Sequence, residues 1–244
     1  MTVLVTGGSS GIGRAVAEHW AGLGSDVVIN YHADDAAAEQ TADAVTAAGG
    51  TPHLVKADVG TAEGVAAVVD GTRAVTQSLD LYVHCAALAV TGAALTIDPV
   101  RLAQAIAVNG TSLVPLTQGL LPLLQRGSSL VYVSSRGSRS YVPNYVALGP
   151  AKSLGEALVR YLAVELAPHG IRANTVSAGP LDTPAFRTMF GDQAQARLDG
   201  AAKANPSGRG VELADVVAAI EWISGPGASM VEGQTVMVDG GISL

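Results

Sequence analysis

Three side chains in the middle of this chain combine types and spacing suited to proton chemistry. Ser135 ends an apolar run, Tyr145 follows ten residues later, and Lys152 stands seven residues beyond Tyr145. A phenol can donate or hold a proton, a hydroxyl adds a second donor, and an ammonium fixes positive charge nearby. Such a set suits an oxyanion that develops during reaction, because preorganised donors where charge appears often make the largest catalytic contribution. At about 100° per residue, seven helical steps return to within roughly 20° of the starting direction, so Tyr145 and Lys152 can face one site. The residue four before Lys152 is Leu148, which carries no proton. Pro150 lies between the two and disfavours a helix interior. The helix must therefore begin near Gly149, with Tyr145 on its lead-in turn, or kink there.

A Tyr and a Lys on one face are usually structural or solvated; a second motif makes the chemical reading worthwhile. Thr6-Gly7-Gly8-Ser9-Ser10-Gly11-Ile12-Gly13 falls between an apolar strand pattern and a helical one. Gly7 permits a tight turn, Gly11 lets backbone approach a pyrophosphate, and Gly13 allows close packing of helix on strand, with the helix N-terminus facing the anion. Glycine spacing by itself is weak, since 29 glycines are available. Its place directly after the first strand gives it weight.

Composition narrows the classes. Of 244 residues, 48% are apolar and only 14% charged, which excludes a disordered chain. The net charge is −7 and no two basic residues are adjacent, so neither nucleic acid nor an anionic membrane is an expected partner. The single cysteine, Cys85, excludes a disulfide framework, and the five histidines never cluster at zinc spacing, so no metal is expected. No basic segment precedes the first apolar run, so the expected location is the cytoplasm. Aromatic residues make up only 4%. A core built mainly from Ala, Val, Leu and Gly requires closely spaced elements.

The elements that must position these residues follow from periodicity. Strand patterns occur at 3–5, 27–29, 53–55, 81–84, 130–133, 174–176 and 235–238; helical patterns occur at 13–23, 35–48, 62–77, 99–124, 155–166 and 213–224. This alternation predicts one α/β domain over residues 1–244, a doubly wound sheet of seven parallel strands with helices on both faces. The segment 180–207 has no strand pattern and reads as an irregular substrate lid. Within it Phe186, Met189 and Phe190 have the spacing of one apolar helical face, a candidate wall for an acyl or pantetheine channel.

Taken together, these motifs resemble the short-chain dehydrogenase/reductase family, and the resemblance runs along the whole chain. It implies a nicotinamide nucleotide bound by Gly7, Ser9, Ser10, Gly11, Ile12 and Gly13, with Asp58 and Val59 at the adenine. By the same resemblance Cys85, Ala86 and Ala87 stand where the family usually has Asn, Ala and Gly. Asn109 matches a mid-helix asparagine of the catalytic group, Gly179 and Leu181 the backbone that orients the nicotinamide, and Thr183 a residue touching its amide or a phosphate. Lys152 would also hold the nicotinamide ribose and push Tyr145 toward donation or ionisation. Cofactor choice is read at Asn30, Tyr31 and His32, where an acid would hold the ribose hydroxyls of NAD. That acid is missing, which favours NADPH, with NADH as the alternative because Arg14 is the only nearby base.

Tyr-x6-Lys is similar to the arrangement of enoyl-acyl-carrier-protein reductases, and the chain looks most like their type III. The implied activity is hydride transfer from NADPH to the double bond of a 2-enoyl thioester linked to coenzyme A or acyl carrier protein, by a homotetramer built partly on its long helices and residues 234–241. Ser135 keeps a β-ketoacyl or other carbonyl reductase open. The displaced tyrosine leaves a third reading, a nucleotide-binding protein without turnover.

Overall fold

Strand β1 (Thr2–Thr6) alternates its side chains between two interiors: Val3 and Val5 face one, Leu4 the other, and all three are fully buried. Only a sheet covered on both sides buries every residue of a strand this way. In the computed structural model, which describes residues 1–244, the remaining strands are β2 (Asp26–Tyr31), β3 (Thr51–Lys56), β4 (Leu79–His84), β5 (Leu124–Ser135), β6 (Arg172–Ala178) and β7 (Thr235–Val238). They form one parallel sheet in the order β3-β2-β1-β4-β5-β6-β7, the doubly wound arrangement the alternation predicts.

Helices α1 (Gly11–Gly22) and α2 (Asp35–Ala47) join the first strands, and α3 (Ala62–Val75) leads to β4. Next come α4 (Pro99–Ile106), α5 (Leu113–Leu120) and α6 (Gly149–Leu166), then α7 (Pro184–Phe190), α8 (Ala194–Ala204) and α9 (Leu213–Ser224). One apolar core packs Val16 and Trp20 of α1 and Ile220 of α9 on Val3, Val5 and Val131. The opposite core packs Val68 of α3, Leu116 of α5 and Leu162 of α6 on Leu4, Leu130 and Tyr132. Each contains 21 buried residues, so both faces of the sheet are covered by the chain's own helices. No helix is long and apolar enough to cross a membrane.

Three stretches differ from the periodic reading. The single helix expected at 99–124 is two helices separated by a π-helical turn at Ala107–Thr111, because the Asn109 amide donates to the Ala105 carbonyl at 2.8 Å and diverts the regular pattern. A short 3₁₀ turn, Leu121–Leu123, with Pro122 then ends the second piece, and β5 begins at Leu124 instead of residue 130. Helix α6 starts at Gly149, six residues before the periodic stretch and where Pro150 allows it, because proline in the first turn needs no amide proton. The supposedly irregular 180–207 segment is mostly helical: Thr183 caps α7 by accepting the Phe186 amide at 3.1 Å, and α8 follows.

Candidate active site

The order of the sheet reverses between β1 and β4, and in such sheets the crevice at the carboxyl ends of the strands is where ligands bind. A cleft of ≈ 460 Å³ opens there. It is lined at one end by the glycine turn and at the other by Ser135, Tyr145, Lys152 and α7.

Backbone builds the first end. Gly7 and Gly11 adopt φ of 65° and 53°, the left-handed region that glycine enters without strain. A Cβ on Gly7 would lie 2.7 Å from the Ala86 Cα, and one on Gly13 would lie 2.2 Å from the Gly7 carbonyl oxygen. Gly13 therefore acts by close packing and does not line the cleft, whereas Gly7, Ser9, Ser10, Gly11 and Ile12 do. Ser10 caps α1 with no side-chain hydrogen bond, and no acid occupies its first turn. Its orphan amide groups and the positive end of the helix suit a pyrophosphate, so the turn fits a dinucleotide.

Farther along, Asn30, Tyr31, His32, Asp58 and Val59 line the cleft with Asp34, but several of their side chains are committed elsewhere. The Asn30 amide donates to the carbonyls of Val55 and Ala57, at 3.2 and 3.0 Å, and Asn30 is buried. Tyr31 donates to Asp35 at 2.9 Å, and Asp58 accepts the Gly60 amide at 2.9 Å. His32 is largely exposed. Cys85, Ala86 and Ala87 complete the floor, and burial pushes the Cys85 thiol up to about 11, so it stays protonated and unreactive.

Side chains build the reacting end. Tyr145 does not lie on the helix; it precedes α6, and its carbonyl accepts the amides of Leu148 and Gly149 at 3.1 and 2.8 Å. It occupies the lead-in turn that Pro150 allows, and both side chains reach the same cleft. Asn144 supplies the bend, with φ of 60°, a conformation asparagine tolerates better than most residues. The Tyr145 hydroxyl donates to Ser135 Oγ at 3.3 Å, and its ring lies parallel to Phe190 at 6.3 Å. Burial raises the phenol above its ordinary range, and Ser135 pulls it partly back. The net effect of the surroundings is to favour the protonated phenol.

Lys152 is buried; its ammonium donates to the Val133 carbonyl at 2.8 Å and stands 4.8 Å from the centre of the Tyr132 ring. Desolvation lowers its pKa to about 8. Behind it lies His84, stacked on Tyr132 and bonded to the Tyr82 hydroxyl at 2.7 Å, and burial holds its pKa down to about 3. It is therefore a neutral structural imidazole.

Asn109 requires a correction. It does not line the cleft: its buried side chain accepts the Leu88 amide and donates to the Leu88 and Ala105 carbonyls. Its side chain positions the loop after β4, and its carbonyl accepts the hydroxyl of Tyr132. Gly179, Leu181, Thr183, Phe186, Met189 and Phe190 all line the cleft, and Thr183 packs beside Gly11, bringing α7 to the glycine turn.

Sequence reasoning missed Glu156. It is buried and accepts hydrogen bonds from Ser134 at 2.6 Å, Ser138 and, at 3.1 Å, Arg139, so it fixes the turn that carries Ser135. Its spacing of four from Lys152 on α6 was the available signal.

A family profile described as Enoyl-(Acyl carrier protein) reductase matches residues 7–243. A solved short-chain dehydrogenase/reductase of Serratia marcescens, in a mutant form, superimposes with a TM-score of 0.90 at 27% identity, covering 100% of this chain and 98% of that one. The chain belongs to the short-chain dehydrogenase/reductase family. It is an oxidoreductase with a site for a nicotinamide nucleotide. Among curated family members, 1-cyclohexenylcarbonyl-CoA reductase of Streptomyces collinus is 35% identical over 99% of this chain and 86% of its own length. A family structure described as the Pseudomonas aeruginosa RhlG/NADP active-site complex matches with a TM-score of 0.89 at 26% identity, covering 100% of this chain and 96% of that one.

Proposed function

We propose that this chain reduces the double bond of a 2-enoyl thioester, carried on coenzyme A or acyl carrier protein, with NADPH as reductant. The observation carrying the proposal is the placement of the acid: Tyr145, outside the helix, presents its hydroxyl in the cleft, while the position one turn before Lys152 is the buried Leu148. The 35% identity to a protein named 1-cyclohexenylcarbonyl-CoA reductase, a name that describes an unsaturated acyl thioester, supports it. When bound, the reduced nicotinamide supplies the hydride that the β carbon accepts.

Negative charge then appears on the thioester oxygen, removed from the carbon that takes the hydride. Tyr145 donates to that oxygen, its raised pKa keeping the proton in place until charge develops. The saturated thioester forms when the α carbon takes a proton from solvent and the oxygen gives its own back. Lys152 adds fixed positive charge and hydrogen-bonding capacity toward the ribose. Phe186, Met189 and Phe190 wall the acyl path as part of a lid, excluding water from the oxyanion.

The missing carboxylate among Asn30, Tyr31 and His32 supports NADPH. Lys152 is the only lysine or arginine lining the cleft, and it lies at the reacting end, so discrimination against NADH is expected to be modest. Exposed Tyr161 and Val164 on α6 suit the proposed homotetramer, which light scattering tests.

A second reading, reduction of a β-ketoacyl thioester, is favoured by the Tyr145–Ser135 hydrogen bond, because two hydroxyls converging on one point also suit a ketone oxygen. One absorbance assay at the nicotinamide band, with matched 2-enoyl and 3-oxo thioesters and both nucleotides, tests these readings. Faster turnover of the enoyl substrate is expected. Preferential consumption of the 3-oxo substrate, with Ser135→Ala nearly inactive, would overturn the proposal.

A further inference from the structure

Beyond the Tyr145–Phe190 pair, a second cavity of ≈ 280 Å³ shares Ser135, Tyr145, Gly179, Phe186 and Phe190 with the main cleft. It therefore opens at the reacting end, where the substrate and not the nucleotide must lie. Its only charged lining residues are Arg136 and Arg197, and no acid faces it.

Neither cation has an acidic partner, and no carboxylate lines the cavity beside them. The protein carries a net −7, and the neighbouring arginines are paired: Arg139 with Glu156, and Arg187 with Asp182. Arg136 makes no ion pair, and its Nε is enclosed without a partner. Glu156, which could have neutralised it, is committed to Ser134, Ser138 and Arg139 on the same turn. Arg197 is held with its guanidinium 4.6 Å from the centre of the Phe190 ring, its only polar bond runs to the uncharged Gln193 at 3.3 Å, and its Nε is likewise enclosed and unpartnered. Two guanidiniums lining one cavity without an acid make it electropositive, and a guanidinium is geometrically suited to a carboxylate. Apart from these two, the lining is mostly apolar and small, including Val142, Ala178, Ala201 and Ile242.

The geometry points to an anion subsite: Arg136 and Arg197 receive a carboxylate borne by the acyl group of the substrate. This inference rests on the thioester-reductase reading and adds the substrate's charge to it. Ser135 and Tyr145 line the same cavity as Arg136, so an anion held there lies at the reacting end of the substrate. A carrier's phosphate lies at the far end of the pantetheine arm and cannot be near both.

The test separates charge from carrier and binding from turnover. Calorimetric titration of the enzyme with NADP⁺ present would compare glutaryl-pantetheine with butyryl-pantetheine, saturated thioesters that need no reduction. Tighter binding of the glutaryl compound by about tenfold or more is expected, with the advantage lost in Arg136→Met and Arg197→Met and partly restored in Arg136→Lys. Equal affinities in the unmodified enzyme, or an advantage that survives both methionine variants, would overturn the subsite. Butyryl-CoA provides the remaining arm: a loss in the variants confined to this phosphate-bearing ligand would overturn the acyl assignment. Because this readout involves no hydride transfer, failure of the enoyl-reductase proposal in the absorbance assay leaves the subsite test standing.

Discussion

The two ends of the cleft are built from different materials. At the nucleotide end the phosphate-cradling turn is made of main-chain amides and of the absence of side chains at Gly7, Gly11 and Gly13, all within one strand-turn-helix unit. At the reacting end Ser135, Tyr145, Lys152 and Phe190 come from the end of β5, the loop before α6, α6 itself and α7. A site made of local backbone tolerates change only where a Cβ can fit. One made of side chains from separate elements depends on the supports that hold them, among them Glu156 and Asn144.

The sharpest way to break the first end is Gly13→Ala. Its Cβ would lie 2.2 Å from a backbone oxygen that cannot move without opening the turn. Destabilisation of about 3 kcal/mol or more is expected, together with loss of nucleotide binding, read by thermal melting and nucleotide titration. Unchanged affinity would show that the turn is not the pyrophosphate site.

Tyr145→Phe breaks the second end while sparing the first. The stack with Phe190 is kept and the acid removed, so kcat should fall about 10²- to 10³-fold with little change in nucleotide affinity or melting temperature. Ser135→Ala should cost about tenfold in enoyl reduction, since it leaves Tyr145 as the donor.

Lys152 sharpens the comparison through pH. Its folded value of about 8 lies below the ordinary 10.5, so the ammonium is lost as pH rises through about 8, and the rate should fall there about tenfold per unit. Stability moves the other way. Between about 8 and 10.5 the unfolded chain holds a proton that the folded chain has released, so this group favours folding increasingly across that window. Lys152→Met should remove both effects; an activity limb that persists in the variant would assign it to another group.

The smallest effect is expected at Asn144, where φ is 60°. Asn144→Gly should preserve Tyr145 placement and rate, whereas Asn144→Val should destabilise the fold by about 1–2 kcal/mol, read by chemical denaturation.

The glycine turn and most of the strands are legible because their signals are short in sequence: a strand boundary, three glycines and brief unbroken apolar runs. Asn109 misleads because a family position says where a residue lies along the chain, not where its side chain points, and here the π-helical turn directs it to Leu88 and Ala105. The spacing of Tyr145 and Lys152 leads to the right cleft, and of the two geometries Pro150 leaves open the structure has the lead-in turn, bent at Asn144. Residues 180–207 look irregular in sequence because α7 is only seven residues long and α8 buries little beyond Ala194, so neither leaves a long apolar period.

By itself the sequence determined the doubly wound sheet, the phosphate-cradling turn and the chemical types available for proton transfer, because each depends on neighbours within a few residues. Only the tertiary structure decided which of those groups meet. Tyr145 finds Ser135, Glu156 is spent on the turn after β5, and Arg136 and Arg197 are left facing one cavity. The physical reason is that pairing energies among charged and polar side chains depend on distance and burial, and these are set by how β5, α6, α7 and α8 pack rather than by their spacing along the chain.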